Sequence, residues 1–312
     1  MEVNYLVSIC IPTYNRSDYL RKSIESILVQ PEFKNGLVEV VISDNASTDN
    51  TEIIGSEYAE KYHNISYYRN KINVRDENFP IALSRGKGIL RKLCNDTIIY
   101  REGCLKKLCD IVLKFREEKP LIFLTNQGAD YKKRIVKFRE FVINASYNIT
   151  WIGSFSIWNS DCEELLTDKS GCELLLWQVK KSYELGYRKD RCVIVDGGLF
   201  DLQSVKNKDI SYGLFKIFYV NYMKLLLPYV YNKSIKEEDK EFIEKDLLYN
   251  FFTGFIISWE LSNSDKVFST EENLKELVFK QYEEKDYFWK YKLEYKFKKF
   301  KKFMRVKYNI KL

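Results

Sequence analysis

The chain has 312 residues, 45% apolar and 15% aromatic, enough for one large α/β domain or two smaller ones and too apolar for wholesale disorder. Its 13 Gly and 5 Pro exclude a collagenous or linker-rich protein. The net charge of +7 is uneven: residues 285–312 carry eleven Lys or Arg against Asp286 and Glu294, which leaves the preceding 284 residues at −2 and excludes a body built to grip nucleic acid.

The first element is "YLVSICIPTYN" (5–15), an apolar run closed by Pro12 that predicts a buried strand ending in a loop. "RSDYLRKSIESILVQ" (16–30) predicts a helix, with Ser17 as its N-cap and Leu20, Ile24, Ile27 and Leu28 on one face. A second strand (37–43), a helix from Thr48 to Tyr62 and a third strand (65–70) follow. The order β-α-β-α-β predicts a doubly wound, mostly parallel sheet, whose ligands bind outside the carboxyl ends of the strands. Next come a helix from about Phe79 to Gly86, a strand through 88–94 and a helix from about Gly103 to Glu117. "LIFLTNQ" (121–127) and "VKFREFVI" (136–143) predict further strands. "SDCEELL" and "CELLLWQVKKSYELGY" predict helices, and "CVIV" (192–195) an edge strand. Helical segments dominate from Tyr212 onward. The expected organisation is an α/β nucleotide-binding domain at 1–204, a helical C-terminal region at 205–284 and a basic, aromatic amphipathic tail at 285–312.

Two loops converge at the ends of the first two strands. One holds Pro12, Thr13, Tyr14 and Asn15; the other runs from Asp44 to Thr51. Together they offer an aromatic face, a carboxylate and free backbone amides, which is what a nucleotide requires. A helix cap with Asx turns is the other reading of the second loop. Neither G-x-G-x-x-G nor G-x-x-x-x-G-K-[ST] occurs, so the dinucleotide fingerprint and the P-loop are excluded. "CNDT" adds Asn95, Asp96 and Thr97 to the same rim. His63 is the one histidine of the chain, which removes Ser/His/Asp and Cys/His nucleophile chemistry. Seven scattered cysteines without a C-x-x-C pair point to reduced thiols in a cytoplasmic protein.

The stretches "VSICIPTYNRSDYLRKSIESILVQ", "VEVVISDNASTDNT", "NFPIALSRGKG" and "CNDTIIYREGCLKKL", in this order and spacing, resemble family 2 glycosyltransferases of the GT-A fold. These are bacterial inverting enzymes with nucleotide-sugar donors. The resemblance implies that Pro12, Thr13, Tyr14 and Asn15 form a nucleotide-binding loop and that Asp44 contacts the base or ribose. It implies that Arg85 neighbours the diphosphate and that Asn95-Asp96-Thr97 stands at the family's D-x-D. Asp96 would then hold Mn2+ or Mg2+ beside the donor, with Asn95 or Thr97 assisting; a plain Asn-Asp turn is the other reading. An inverting transfer also needs a general base. The family's E-D pair is matched only by Glu173, and Asp161, Glu163 and Glu164 compete for the role. Trp151 and Trp158, in "WIGSFSIW", stand where the family borders its acceptor site and are either sugar platforms or core residues.

In the tail, Trp289, Leu293, Phe297, Phe300, Met304 and Tyr308 recur at helical spacing among lysines. The pattern predicts an interfacial helix attracted to anionic lipid, or else a helix docked on the body. No leader and no membrane-spanning run is expected, which places the protein in the cytoplasm or at the inner face of the membrane. The expected function is transfer of a sugar from a nucleoside diphosphate to a hydroxyl of a bacterial surface glycan of capsule or O-antigen type, either lipid-linked or free. A catalytically degenerate scaffold subunit is the alternative.

Overall fold

Strand β1 (Val7–Thr13) is buried at every residue, as a strand covered on both faces must be. In this computed structural model, which describes residues 5–128, 130–163, 165–205, 213–261 and 273–308, β1 is followed by α1 (Ser17–Leu28), a short α2 (Pro31–Lys34), β2 (Val38–Asp44), α3 (Thr51–Lys61) and β3 (Ile65–Arg69). Then come α4 (Asn78–Arg85), β4 (Leu90–Leu93), β5 (Ile98–Tyr100), α5 (Cys104–Phe115), β6 (Leu121–Leu124), β7 (Lys132–Val136) and α6 (Phe138–Ala145). β8 (Ser156–Trp158), α7 (Trp177–Lys189), β9 (Cys192–Asp196) and β10 (Phe200–Leu202) complete a compact unit, Met1–Ser204.

The main sheet has the order β3-β2-β1-β4-β8, with the first four strands parallel and β8 antiparallel to β4. Its register sets Thr13 beside Asp44 and Asp44 beside Arg69, so the strand ends form one polar rim. The face of α1 that packs on the sheet is Leu20, Ile24 and Ile27, the apolar stripe of its sequence. A smaller sheet, β6-β9-β7, joins the main one through a bridge between Phe123 and Phe155, and β10 pairs with β5. The expected α/β architecture, a doubly wound, mostly parallel sheet with a helical C-terminal region, is what the chain adopts.

Several local expectations are corrected. Residues 136–143 are not a strand: β7 ends at Val136, and Phe138, Phe141, Val142 and Ala145 form the buried face of α6. Residues 192–195 are not an edge, because β9 lies between β6 and β7. The second helix begins at Thr51 rather than Thr48, and Ser17 is the first residue of α1, not its cap. Its backbone N–H is met instead by Asp49 Oδ2 at 3.0 Å. The "SDCEELL" stretch holds only a 3-10 turn, Asn159–Asp161, and the later helix opens at Trp177, four residues beyond Glu173.

The glycines of "RGKG" have a structural cause at the other end of the sheet. A Cβ on Gly88 would stand 2.6 Å from the backbone N of Ser8, so only glycine lets the segment entering β4 run this close to β1. The Gly88 N–H donates to Ser8 Oγ at 2.7 Å, and the buried Glu39 accepts from that same hydroxyl. All seven cysteines are free thiols.

The second unit, Val205–Leu312, is helical: α8 (Tyr222–Tyr231), α9 (Glu237–Asp246), α10 (Thr253–Leu261), α11 (Leu274–Tyr282) and α12 (Phe288–Tyr308). It is organised around the buried Glu244, whose carboxylate accepts from Tyr219 Oη at 2.9 Å and pairs with Lys285 at 3.0 Å. No helix among the described residues is long and apolar enough to cross a membrane.

Candidate functional site

At the carboxyl ends of β1, β2 and β4 the chain leaves the sheet in three polar loops, and their side chains form two clusters. The first centres on Asp44, which has no exposed surface. Its Oδ1 accepts from the Ser47 N–H at 2.9 Å and from the Ser47 hydroxyl; its Oδ2 accepts from Tyr67 Oη at 2.7 Å and lies 3.6 Å from Arg69 Nε. Burial, and then the hydrogen bond to Asp44, push the Tyr67 phenol well above its ordinary range. Both oxygens are engaged by protein, so Asp44 shapes this loop and ties β2 to β3.

Asn15 ties the first loop to the second. Its Oδ1 accepts from the Thr48 N–H at 2.7 Å while its own N–H donates to Ser47 Oγ at 2.9 Å. It does so at φ 52°, a left-handed conformation that asparagine tolerates better than most residues. Beside it the Tyr14 ring is 43% exposed and stands on the rim as an aromatic face. Pro12 and Thr13 are buried within β1.

The second cluster centres on Asp96, only 4% exposed. Thr13 Oγ1 donates to its Oδ2 at 2.9 Å, and Arg16 Nη1 to its Oδ1 at 3.2 Å. Burial pushes the Asp96 carboxyl up, and Arg16 and Thr13 pull it back only in part. Next to it the buried Oδ1 of Asn95 has no hydrogen-bond partner among the described residues. The Arg16 side chain is 31% exposed, so its guanidinium bridges the buried acid and the open rim.

Arg85 is engaged away from Asp96. It donates to Ser43 Oγ at 2.7 Å and Asn70 Oδ1 at 3.2 Å and lies over the Tyr68 ring at 4.7 Å. An amide ladder that sequence reasoning missed fixes the segment after β3: Asn45 takes the Val74 N–H and donates to Asn73 Oδ1 and the Arg75 carbonyl. That segment presents Asp76, whose carboxyl burial raises to about 7, with Arg75 opposing the shift. Lys169, salt-bridged to Glu77, ties the loop of Glu173 to the same corner. Glu173 is exposed there and accepts the Gly171 N–H at 2.9 Å.

Two expected site residues lie at the wrong end. Because β8 runs antiparallel, Trp158 sits opposite Leu90, at the amino-terminal rim of the sheet. Trp158 is 2% exposed and donates to the Pro120 carbonyl at 2.6 Å, so it is a core residue and no sugar platform. Asp161 follows it to that rim and is neutralised by Arg188 at 2.7 Å and Lys189 at 2.9 Å. Neither a base nor an acceptor contact fits there. Glu163 is exposed five residues after the end of β8, and Glu164 lies outside the described residues. Trp151 is partly buried against the core, edge-on to Phe200 with ring centroids 6.1 Å apart.

A divalent cation would find a poor donor set at "NDT". Mg2+ and Mn2+ favour carboxylate oxygens. Here the single carboxylate already serves Thr13 and Arg16, and among the described residues no group of three or more His, Cys, Asp or Glu is placed to hold a metal. A doubly charged ion on Asp96 would compete with the Arg16 guanidinium for the same carboxylate oxygen. The residues present do not fit the ion.

Residues 8–86 match the family described as glycosyl transferase family 2. The chain is 38% identical over 122 residues to the abequosyltransferase RfbV of Salmonella typhimurium, covering 36% of this chain and 36% of that protein. It is 41% identical over 71 residues to the minor teichoic acid biosynthesis protein GgaB of Bacillus subtilis, covering 22% of this chain and 8% of the other. The matched stretch thus spans little more than a third of the first of these relatives and far less of the second. Among solved structures it is similar to S. aureus TarS 1–349 in complex with UDP, at 17% identity and a TM-score of 0.54 over 81% of this chain and 77% of that one. It is also similar to the mannosyltransferase PcManGT from Pyrobaculum calidifontis with GDP-Man and Mn2+, at 13% identity and a TM-score of 0.51 over 97% and 88%. The strand order, the rim loops and these likenesses converge: residues 8–86 match a glycosyl transferase family 2 domain, and the fold is similar to that of solved glycosyltransferases.

Proposed function

We propose that the protein transfers a sugar from a nucleoside diphosphate to a hydroxyl of a bacterial surface glycan, with inversion at the anomeric carbon. The observation that carries this reading is the cluster of Thr13, Arg16 and Asp96 beside the exposed Tyr14 ring, at the rim where open α/β sheets take ligands. Tyr14 stacks on the nucleotide base, and the cation of Arg16 meets the diphosphate. UDP in the TarS structure and GDP-Man in PcManGT support a nucleotide donor. The names of RfbV and GgaB support a surface-glycan acceptor.

The transfer is a direct displacement. The acceptor oxygen forms its bond to the anomeric carbon while the bond from that carbon to the phosphate oxygen breaks, and the nucleoside diphosphate leaves with the electron pair. A carboxylate takes the acceptor proton. Glu173 and Asp76 are the acids for this step, since the Lys169–Glu77 pair holds their two segments together at the rim. Asp76, at about 7, has the affinity a base needs at neutral pH. Trp151 borders the acceptor side.

Helix α12 supports a peripheral place on the membrane. Its packed face is Phe288, Tyr291 and Tyr295, continued by Lys298 on the Tyr249 carbonyl and Lys302 on Ser258 Oγ. Trp289, Leu293, Phe297 and Phe300 are 53–60% exposed and lie about 180° away around the helix at about 100° per residue. An exposed aromatic stripe flanked by Lys290, Lys296 and Lys301 fits an anionic lipid surface.

Two assays test the reading. Purified protein given nucleotide sugars and an acceptor glycan should release nucleoside diphosphate; the scaffold alternative requires neither transfer nor hydrolysis. Flotation with phosphatidylglycerol liposomes should retain the full chain and lose a variant carrying Trp289→Ser, Leu293→Ser and Phe297→Ser. Equal flotation would remove the membrane contact and leave the catalytic reading standing.

A further inference from the structure

The mismatch between the "NDT" triplet and a divalent cation leaves a question of charge. A nucleoside diphosphate brings two to three negative charges to the rim, and a leaving diphosphate must be neutralised as the sugar bond breaks. The carboxylates that would gather a metal are replaced at Asn95 and Thr97. The one that remains is a buried anchor for a guanidinium.

The geometry of that anchor is specific. Arg16 begins the turn into α1, and its backbone N–H is held by Thr51 Oγ1 at 3.4 Å. Its side chain reaches across the rim to Asp96 Oδ1 at 3.2 Å. Thr13 Oγ1 holds the other oxygen of Asp96, so the carboxylate cannot turn away from the guanidinium. Asp96 engages Nη1, and the part-exposed fork retains donors for a second anion. A guanidinium fixed in this way matches the paired oxygens of a phosphate, which a hydrated lysine ammonium would do less well.

We propose that Arg16, held by Asp96 and Thr13, neutralises the donor diphosphate in place of a divalent cation. This rests on the reading of the rim as a nucleotide-sugar site. Arg16 is then a binding and catalytic residue, because it touches the leaving group, and Asp96 is a positioning residue that acts through it. Asn95, relieved of a metal, keeps a buried amide oxygen without a hydrogen-bond partner among the described residues.

The test is nucleotide binding by the full chain, followed by calorimetry and thermal shift with UDP, GDP, CDP, ADP and dTDP, in EDTA and in Mn2+. At least one diphosphate is expected to bind in EDTA with an affinity within about threefold of that in Mn2+. Arg16→Gln should weaken that binding by about tenfold or more, Arg16→Lys by less, and neither should change the affinity for the matching nucleoside. Melting without ligand reports whether each variant is folded; if Arg16→Gln is not, Arg16→Lys and the EDTA arm decide. Binding that disappears in EDTA, or a folded Arg16→Gln that binds as the wild type does, overturns the proposal and leaves the donor site standing. Binding of no nucleoside diphosphate in either buffer overturns the donor reading, and this inference with it.

Discussion

Asp44 and Asp96 occupy equivalent positions, each just where a parallel strand gives way to a loop, and each is almost wholly buried. They differ in what surrounds them. Asp44 is engaged by Ser47, Tyr67 and Arg69, all from its own corner of the sheet. Asp96 is held by Thr13 and Arg16 from the first loop, next to an unpartnered amide oxygen on Asn95. One carboxylate spends its hydrogen-bonding capacity on the fold, and the other holds a cation at the edge of open solvent. Position at a strand end therefore does not make an acid a ligand; the partners decide it.

The largest expected effect is on stability and falls on the first of these acids. Asp44→Ala should cost about 3–5 kcal/mol, because it leaves buried donors from Ser47 and Tyr67 without an acceptor and removes one charge from the Arg69 pair. Asp96→Ala should cost at least about 1 kcal/mol less, since the Arg16 it releases can turn to water. Urea denaturation of both variants measures the difference. A less stable Asp96 variant would reverse the comparison.

A third carboxyl sharpens it through pH. Asp76 is half-buried with too little compensation, and its pKa is raised from 3.8 to about 7. An acid raised in this way favours the folded state while protonated. Its contribution is complete below the unfolded value of 3.8 and is lost as the pH rises through about 7. Between pH 4 and pH 7.5 the wild type should lose on the order of 4 kcal/mol relative to Asp76→Asn. Denaturation curves at the two pH values give this double difference. Parallel losses in both proteins would mean that Asp76 is ionised throughout.

The sequence made some of this legible and hid the rest for physical reasons. β1 and β2 are fully buried parallel strands, so their continuous apolar runs and the polar residues after them stand out. β7 is exposed along Lys132–Ile135 and carries no apolar signal, which is why β9 read as an edge. The run 136–143 contains Phe, Val and Ile, residues typical of strands, but its spacing of apolar positions belongs to a helix. Asp161 and Trp158 were misplaced because nothing local fixes the direction of β8, and an antiparallel strand carries its C-terminal residues to the opposite rim. The Arg16–Asp96 pair joins residues 80 positions apart, and nothing in the local pattern singles out Arg16, which precedes the expected cap Ser17. The altered "NDT" was the one visible sign that the charge arrangement at this rim had changed.

The smallest expected effect on stability is at Tyr14, and there the two corners can be separated from the aromatic face between them. Its ring is 43% exposed, and Tyr14→Ala should change stability by no more than about 0.5 kcal/mol. If the ring stacks on a base, nucleotide affinity should fall by roughly five- to tenfold, a loss of about 1 kcal/mol that the nucleoside shares with the diphosphate. That sharing distinguishes Tyr14 from Arg16, whose loss should spare the nucleoside. Calorimetry with both ligands on both variants resolves the rim into a base end and a phosphate end. An unchanged nucleoside affinity in Tyr14→Ala would move the base away from this ring and toward the amide-rich segment around Asn45 and Asn73.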